Sequence, residues 1–190
     1  MTKQLSKAFK ARNARFNAAS PAEQRVIVAK DVIAQIKKGS IEPMRGNWVR
    51  MFLPKMAPES QICDIVGGKN DVVCSACALG SMMISMVRYR DNFSVRDYEL
   101  GNFNYDSIHY GRPDKTGITE LFTPQQQRMI ECAFEAGDGF YNYSRRAKCS
   151  DTERKEMHKA IDFGYQYTDT KARLIAIMKN IVKNKGEFVP

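Results

Sequence analysis

Apolar positions recur at helical spacing in four stretches of the chain, and three of them open on a clear start signal. Ser20-Pro21-Ala22-Glu23 has the form of a capping box with proline at the first helical position: the Ser20 hydroxyl can accept an orphaned backbone N–H while Glu23 reaches back to the Ser20 amide. Val26, Ala29, Ile33 and Ile36 then fall on one face, Lys37 and Lys38 suit the negative end of a helix, and Gly39 supplies a stop. Thr123-Pro124-Gln125-Gln126 repeats the device and opens a helix through Met129, Ile130, Ala133 and Phe134 to Gly137. Ser150-Asp151-Thr152-Glu153 repeats it again, with Met157, Ala160 and Ile161 before Gly164. A final helix is predicted from about Asp169 to Asn184, with Leu174, Ile175, Met178, Ile181 and Val182 as its buried stripe. Gly186 lies just beyond it, and the tail Glu187-Phe188-Val189-Pro190 is placed to fold back onto the body.

One further stretch has no polar face at all. From Val72 to Val87 no residue carries a charge, and a segment that is apolar on every side has to be enclosed by the rest of the protein. It is read as a central helix spanning about 72–88. Ser75, Ala76, Ala78, Gly80, Ser81 and Ser85 are short enough to let another helix approach, while Leu79, Met82, Met83, Ile84, Met86 and Val87 fill the remaining volume. A mid-helix glycine costs about 1 kcal/mol relative to alanine, so Gly80 is expected where a neighbouring helix comes close. Between Gly39 and Asn70 the chain is broken by Pro43, Pro54, Pro58, Gly67 and Gly68, which leaves one short helical or extended piece around Trp48–Leu53. Sustained alternation with a period of two appears nowhere, which argues against a large sheet.

These patterns predict an all-α protein: a single compact domain of six or seven helices over residues 20–190, built around the buried central helix and preceded by a basic arm or helix at 1–19. A length of 190 residues with 43% apolar residues is enough for one sizeable core. No stretch reaches the roughly 20 apolar residues that cross a bilayer, so no membrane partner is expected.

Charge changes the picture in one place. The net charge is +9, and the first fifty residues hold eleven Lys and Arg against Glu23, Asp31 and Glu42, so nearly all of the excess is local. Lys3, Lys7, Lys10, Arg12 and Arg15 precede any acid, which predicts a basic patch suited to phosphate-bearing partners or to an acidic protein face. The same composition is found in transit peptides, but a helix begins directly after it with no processing segment between. Leu5, Phe9 and Phe16 within the arm, if exposed, would make a helix-in-groove or homo-oligomer contact. Five cysteines, an odd number at irregular spacing, read as reduced thiols of a cytoplasmic protein.

Four groups of residues carry candidate chemistry. Cys74-Ser75-Ala76-Cys77 is a CxxC motif; with Asp71 as N-cap, Cys74 would sit in the first helical turn, where free amides lower a thiol pKa. A cysteine-dependent enzyme or redox protein would use Cys74 and Cys77, with His109 as the base; the opposing reading is two small buried hydrophobes. A zinc site would have to combine Cys63, Cys74, Cys77 and His109, which form no second close pair, so neither a metal nor another cofactor is expected. The polar segment Gly101–Gly117 offers Tyr105, His109, Tyr110, Arg112 and Lys115, and the segment Gly139–Lys148 offers Tyr141, Tyr143, Arg145 and Arg146. Aromatic faces beside cationic side chains stack bases while pairing with phosphate, so both segments are candidate ligand-binding sites, or else ordinary loops whose tyrosines cover the edge of the core. His158 falls on the polar face of its helix.

Trp48, then Cys77-Ala78-Leu79-Gly80, then Phe122-Thr123-Pro124-Gln125 with Ile130-Glu131-Cys132-Ala133-Phe134-Glu135, and finally Arg173-Leu174-Ile175 through Met178, Asn180 and Ile181 to Gly186, Phe188 and Pro190, follow in an order that resembles a group of small phage and bacterial proteins. The resemblance covers roughly residues 45–190. That group has no assigned activity to carry over; it implies a phage accessory protein, acting in the host cytoplasm and directed against host defence. Together these readings favour a non-enzymatic binding protein for an anionic partner, either a nucleotide signal or nucleic acid. The alternatives are an inhibitor that docks on an acidic host protein through the basic N-terminal helix, and the cysteine chemistry above.

Overall fold

The computed structural model describes residues 7–46, 48–51, 60, 62, 73–90, 117–136 and 150–190. Among these the chain is predominantly helical, with seven helices and one small three-stranded sheet. In chain order the elements are α1 (Lys7–Ala18), α2 (Pro21–Lys38), β1 (Ile41–Pro43), β2 (Val49–Met51), β3 (Cys74–Ala76), α3 (Ala78–Arg90), α4 (Ile118–Leu121), α5 (Pro124–Glu135), α6 (Asp151–Tyr165) and α7 (Thr170–Lys183).

The predicted N-terminal caps at Ser20, Thr123 and Ser150 and the stop at Gly39 are formed, α5 ends on Ala136 in the left-handed region, and Asp71 and Gly137 lie outside the described residues. Ser20 Oγ accepts from Glu23 N and the Glu23 carboxylate accepts from Ser20 N at 2.8 Å, while Gly39 ends α2 at φ 81°. Ser150 and Glu153 make the same reciprocal pair at α6, Thr123 caps α5 through Gln126 N, and Asp169 caps α7 through Ala172 N. Each cap contributes about 1 kcal/mol by satisfying backbone donors that the helix itself cannot.

The uncharged segment is enclosed as its composition requires: Cys74 to Arg88 are buried without exception. Its local structure corrects the single helix expected over 72–88. Cys74–Ala76 form β3, the middle strand of the sheet, parallel to β1 with Ile41 opposite Cys74 and antiparallel to β2 with Met51 opposite Cys74; only from Ala78 is the segment helical. Three residues are too few to display an alternation, and these are buried on both faces. Gly80 does mark a close approach, but its neighbour is not another helix. A Cβ there would stand 1.8 Å from the Trp48 carbonyl oxygen at the start of β2. The serines of the segment have partners: Ser75 Oγ donates to Glu42 Oε2 at 3.3 Å, Ser81 Oγ to Cys77 O at 2.8 Å and Ser85 Oγ to Asp31 Oδ2 at 2.8 Å.

Gly164 is a second correction. It does not end α6, which continues to Tyr165; it lets α6 lie against α5, where an added Cβ would meet the Ala133 carbonyl oxygen at 2.0 Å. The tail folds back as expected. Phe188 is fully buried, edge-on to Phe163 at 5.3 Å; its N–H donates to Gln126 Oε1 at 2.7 Å, and the Val189 N–H donates to Asn180 Oδ1 at 2.9 Å.

Of the two forms expected for the N-terminal region, a basic arm or a helix, the described residues form a helix. α1 is seated on α3, with Phe16 fully buried and Phe9 nearly so, and Phe16 stacks on Tyr89 at 4.9 Å. Arg12 Nε donates to Arg88 O at 3.0 Å and Asn13 Nδ2 to Tyr89 O at 2.5 Å, so side chains of α1 satisfy carbonyls at the C-terminal end of α3. The expected exposure of Phe9 and Phe16 is therefore wrong; Leu5 and Lys3 lie outside the described residues.

Candidate functional site: a basic groove between three helices

The described cations divide into two sets. Among the described residues, most of the arginines are engaged in the fold. Arg12 caps α3. Arg25 Nε donates to Gly186 O at 2.8 Å and its Nη1 to Leu121 O at 3.0 Å. Arg45 holds Glu135, whose carboxylate also accepts from Gly46 N at 3.1 Å. Arg88 is buried against Asp31, which accepts from Ser85 as well. Arg90 pairs with Glu120 at 2.7 Å, Arg128 with Glu153 at 2.9 Å, and Arg173 donates to Phe134 O and Tyr167 O. The planar guanidinium suits such work, since its fixed fork of donors can satisfy carbonyls from different elements at once.

A second set of described cations faces solvent. Lys7, Lys10 and Arg15 of α1 are exposed, as are Lys30 of α2 and Lys185 after α7. Arg15, Lys30 and Lys185 line one groove of about 820 Å³, whose floor is made by Ala18, Ala19, Ala22, Val26, Ile27 and Val182. Among the described residues, none of the three cationic groups makes a hydrogen bond or an ion pair. Glu23 is the one acid of the groove, and its carboxylate accepts from both the Ser20 amide and hydroxyl, which hold its pKa below the usual carboxylate value.

Local sequence explains why these distant residues meet. After α7, Lys185 and Gly186 both have positive φ, 54° and 104°, and turn the chain back toward the first turn of α2. Only glycine fits at 186, because a Cβ would stand 2.6 Å from Ala22 O, and the Arg25–Gly186 hydrogen bond fixes the turn in place. Lys185 is thereby held on the rim opposite α1. Small residues at 18, 19 and 22, where α1 turns into α2, keep the space between the rims open.

Of the candidate residues from the sequence, Lys7, Lys10 and Arg15 are exposed and Arg12 is half-buried in its structural role. Lys30 and Lys185 were absent from the predicted patch. Lys30 belongs to the basic first fifty residues but lies beyond the arm, and Lys185 becomes relevant only through a chain reversal far away in sequence. Tyr105, His109, Tyr110, Arg112, Lys115, Tyr141, Tyr143, Arg145 and Arg146 lie outside the described residues.

The CxxC cysteines are placed against reactivity. Cys74 is in β3 and not in the first turn of a helix, and both it and Cys77 are buried free thiols whose pKa values burial pushes up to about 12. Glu131 and Glu135 add to the shift at Cys77 by disfavouring a second negative charge. A thiol so shifted stays protonated at neutral pH and is a poor nucleophile. No group of three or more His, Cys, Asp or Glu side chains is arranged to hold a metal ion among the described residues; Cys63 and His109 fall outside them. No described helix is long and apolar enough to cross a membrane. Comparison of the chain with protein-family models, with curated proteins and with solved structures gives no match.

Proposed function

We propose that this protein acts by binding nucleic acid, holding backbone phosphates in the groove between α1, α2 and the end of α7. The observation that carries this reading is the convergence of Arg15, Lys30 and Lys185, three cations without partners among the described residues, on one open groove, while the neighbouring arginines are engaged in the fold. An unpaired cation keeps its full attraction for phosphate, whereas a paired one must first give up its partner. Among the described residues the groove has no aromatic side chain in its lining, so they offer charge without a platform for stacking a base. That favours a polymer read through its phosphates over an enclosed single nucleotide. Lys7 and Lys10, exposed on α1, extend the positive surface.

Anisotropy titration of a labelled 20-nucleotide single strand and of a duplex of the same length tests this. Arg15→Glu/Lys30→Glu/Lys185→Glu is expected to weaken binding at least tenfold, whereas Lys159→Glu, which reverses a cation already paired with Glu156, leaves it nearly unchanged. Equal affinity of the triple variant and the native chain for both probes would overturn the proposal. Titration with cyclic dinucleotides and ADP-ribose derivatives tests the nucleotide-signal alternative, the form a role against host defence would take; saturable binding of these with none of DNA or RNA would replace the present reading. Docking of α1 into an acidic protein groove is disfavoured because Phe9 and Phe16, its apolar anchors, are already buried against the chain itself.

A further inference from the structure

A second groove, of about 520 Å³, runs along the other side of α7, between that helix and the end of α6. Its floor is apolar at one end, where Phe163 and Tyr167 face Ile175 and Ala176, and its rim is cationic at the other, where Lys179 and Lys183 stand one helical turn apart. The wall is fixed before any partner arrives: Arg173 Nε and Nη2 hold the Tyr167 carbonyl at 3.0 and 2.7 Å, and the Phe163 ring is braced by both Tyr167 and Phe188. Lys179 and Lys183 make no hydrogen bond or ion pair among the described residues. They contrast with Lys159 on α6, which pairs with Glu156 at 2.9 Å. The difference is written into the sequence, because the stretch Thr170–Gly186 contains five Lys and Arg and not one Asp or Glu.

We infer that this groove docks an acidic amphipathic helix of a partner protein, seating an aliphatic or aromatic anchor against Phe163, Tyr167 and Ile175 and setting carboxylates against Lys179 and Lys183. Charge complementarity selects the occupant. From Ile175 to Lys183 the groove runs about 12 Å, the length of two helical turns, which matches an anchor followed by acids one and two turns along. A second copy of this chain is a poor fit, since it carries +9 overall and would bring like charge to a cationic rim. A lipid surface needs a protruding apolar ridge, and here the apolar side chains line a recess.

Selection from a random twelve-residue peptide library against the full chain, with folded Lys179→Glu/Lys183→Glu as the counter-target, tests the inference. Enriched peptides should be amphipathic with clustered Asp and Glu, and should bind the native chain at least tenfold more tightly than the variant. No enrichment, enrichment without acidic bias, or equal affinity for the two targets would overturn it. So would a monomer–dimer equilibrium in sedimentation velocity that the double variant abolishes, or co-sedimentation with phosphatidylserine vesicles that depends on the two lysines when no peptide is enriched. Arg15, Lys30 and Lys185 remain intact in the variant, so the outcome is independent of nucleic-acid binding.

Discussion

The segment Cys74–Arg88 and the face formed by α1, α2 and the end of α7 treat polar groups in opposite ways. In the first, charge is excluded up to Arg88, and that guanidinium enters the interior paired with Asp31, which also accepts from Ser85. In the second, Arg15, Lys30 and Lys185 converge on open space and, among the described residues, form no ion pair, the Glu23 carboxylate of the groove being bonded to Ser20. A buried ion left without a partner costs several kcal/mol, whereas an exposed one costs almost nothing and stays available. The contrast teaches that a count of basic residues is a poor guide to a binding surface; what matters is which of them the fold has already engaged.

Three substitutions probe this contrast, two on its buried side and one beside the groove, in descending order of effect. Gly80→Leu should prevent folding, because even a Cβ would overlap the Trp48 carbonyl and the remaining side-chain atoms have no space to enter. Loss of cooperative thermal unfolding and of near-ultraviolet circular dichroism would register it; a native-like melt would show that β2 can move away from α3. Asp31→Ala should cost about 3–5 kcal/mol by leaving Arg88 buried without its carboxylate, measured by urea denaturation. A loss below about 1 kcal/mol would mean that Arg88 reaches water on its own, and the division between the two regions would weaken.

Ser20→Ala should cost about 1 kcal/mol, the smallest effect, through the lost cap of α2. Its pH signature has a definite sign. Hydrogen bonds from Ser20 lower the pKa of Glu23 in the folded chain, so the stability they confer is present above the ordinary carboxylate range and is lost as pH falls through the folded value. The gap between the variant and the native chain should therefore narrow in acid by the part that the Ser20 hydroxyl's bond to the Glu23 carboxylate supplies, while the part due to the lost cap on Glu23 N–H persists. At the alkaline end the buried thiols act in the other direction. Folded Cys74 and Cys77 titrate near 12 against an ordinary value of 9.0, so stability should decline as pH rises above 9, where only the unfolded chain ionises.

Short-range features were legible in the sequence. The capping boxes at Ser20 and Ser150 and the stop at Gly39 depend on residues within one turn of each other, and each formed where its pattern stands. Enclosure of the uncharged segment was legible too, since it follows from composition alone. Features that need a distant partner were not. Cys74–Ala76 is a strand because 41–43 and 49–51 lie on either side of it, and Gly164 stays inside α6 because the Ala133 carbonyl is there. Phe9 and Phe16 read as exposed until α3 supplied a surface to cover them. The groove shows the same limit: Arg15 was visible in the basic arm and Lys30 lies on the next helix, but Lys185 joins them only through the turn at Gly186 and the clasp of Arg25. Arg12, equally basic in sequence, was drawn away to the end of α3.

The salt dependence of nucleic-acid binding tests the central claim most directly, because each cation that meets a phosphate releases a counterion from it. Affinity for the labelled duplex would be measured from low to moderate salt for the native chain and for Arg15→Gln/Lys30→Gln/Lys185→Gln. We predict that the slope of log affinity against log salt is shallower in the triple variant by about 3, close to one for each cation removed. Parallel slopes for the two proteins would contradict the account, since the three groups that the fold leaves unpaired would then not be the ones that bind.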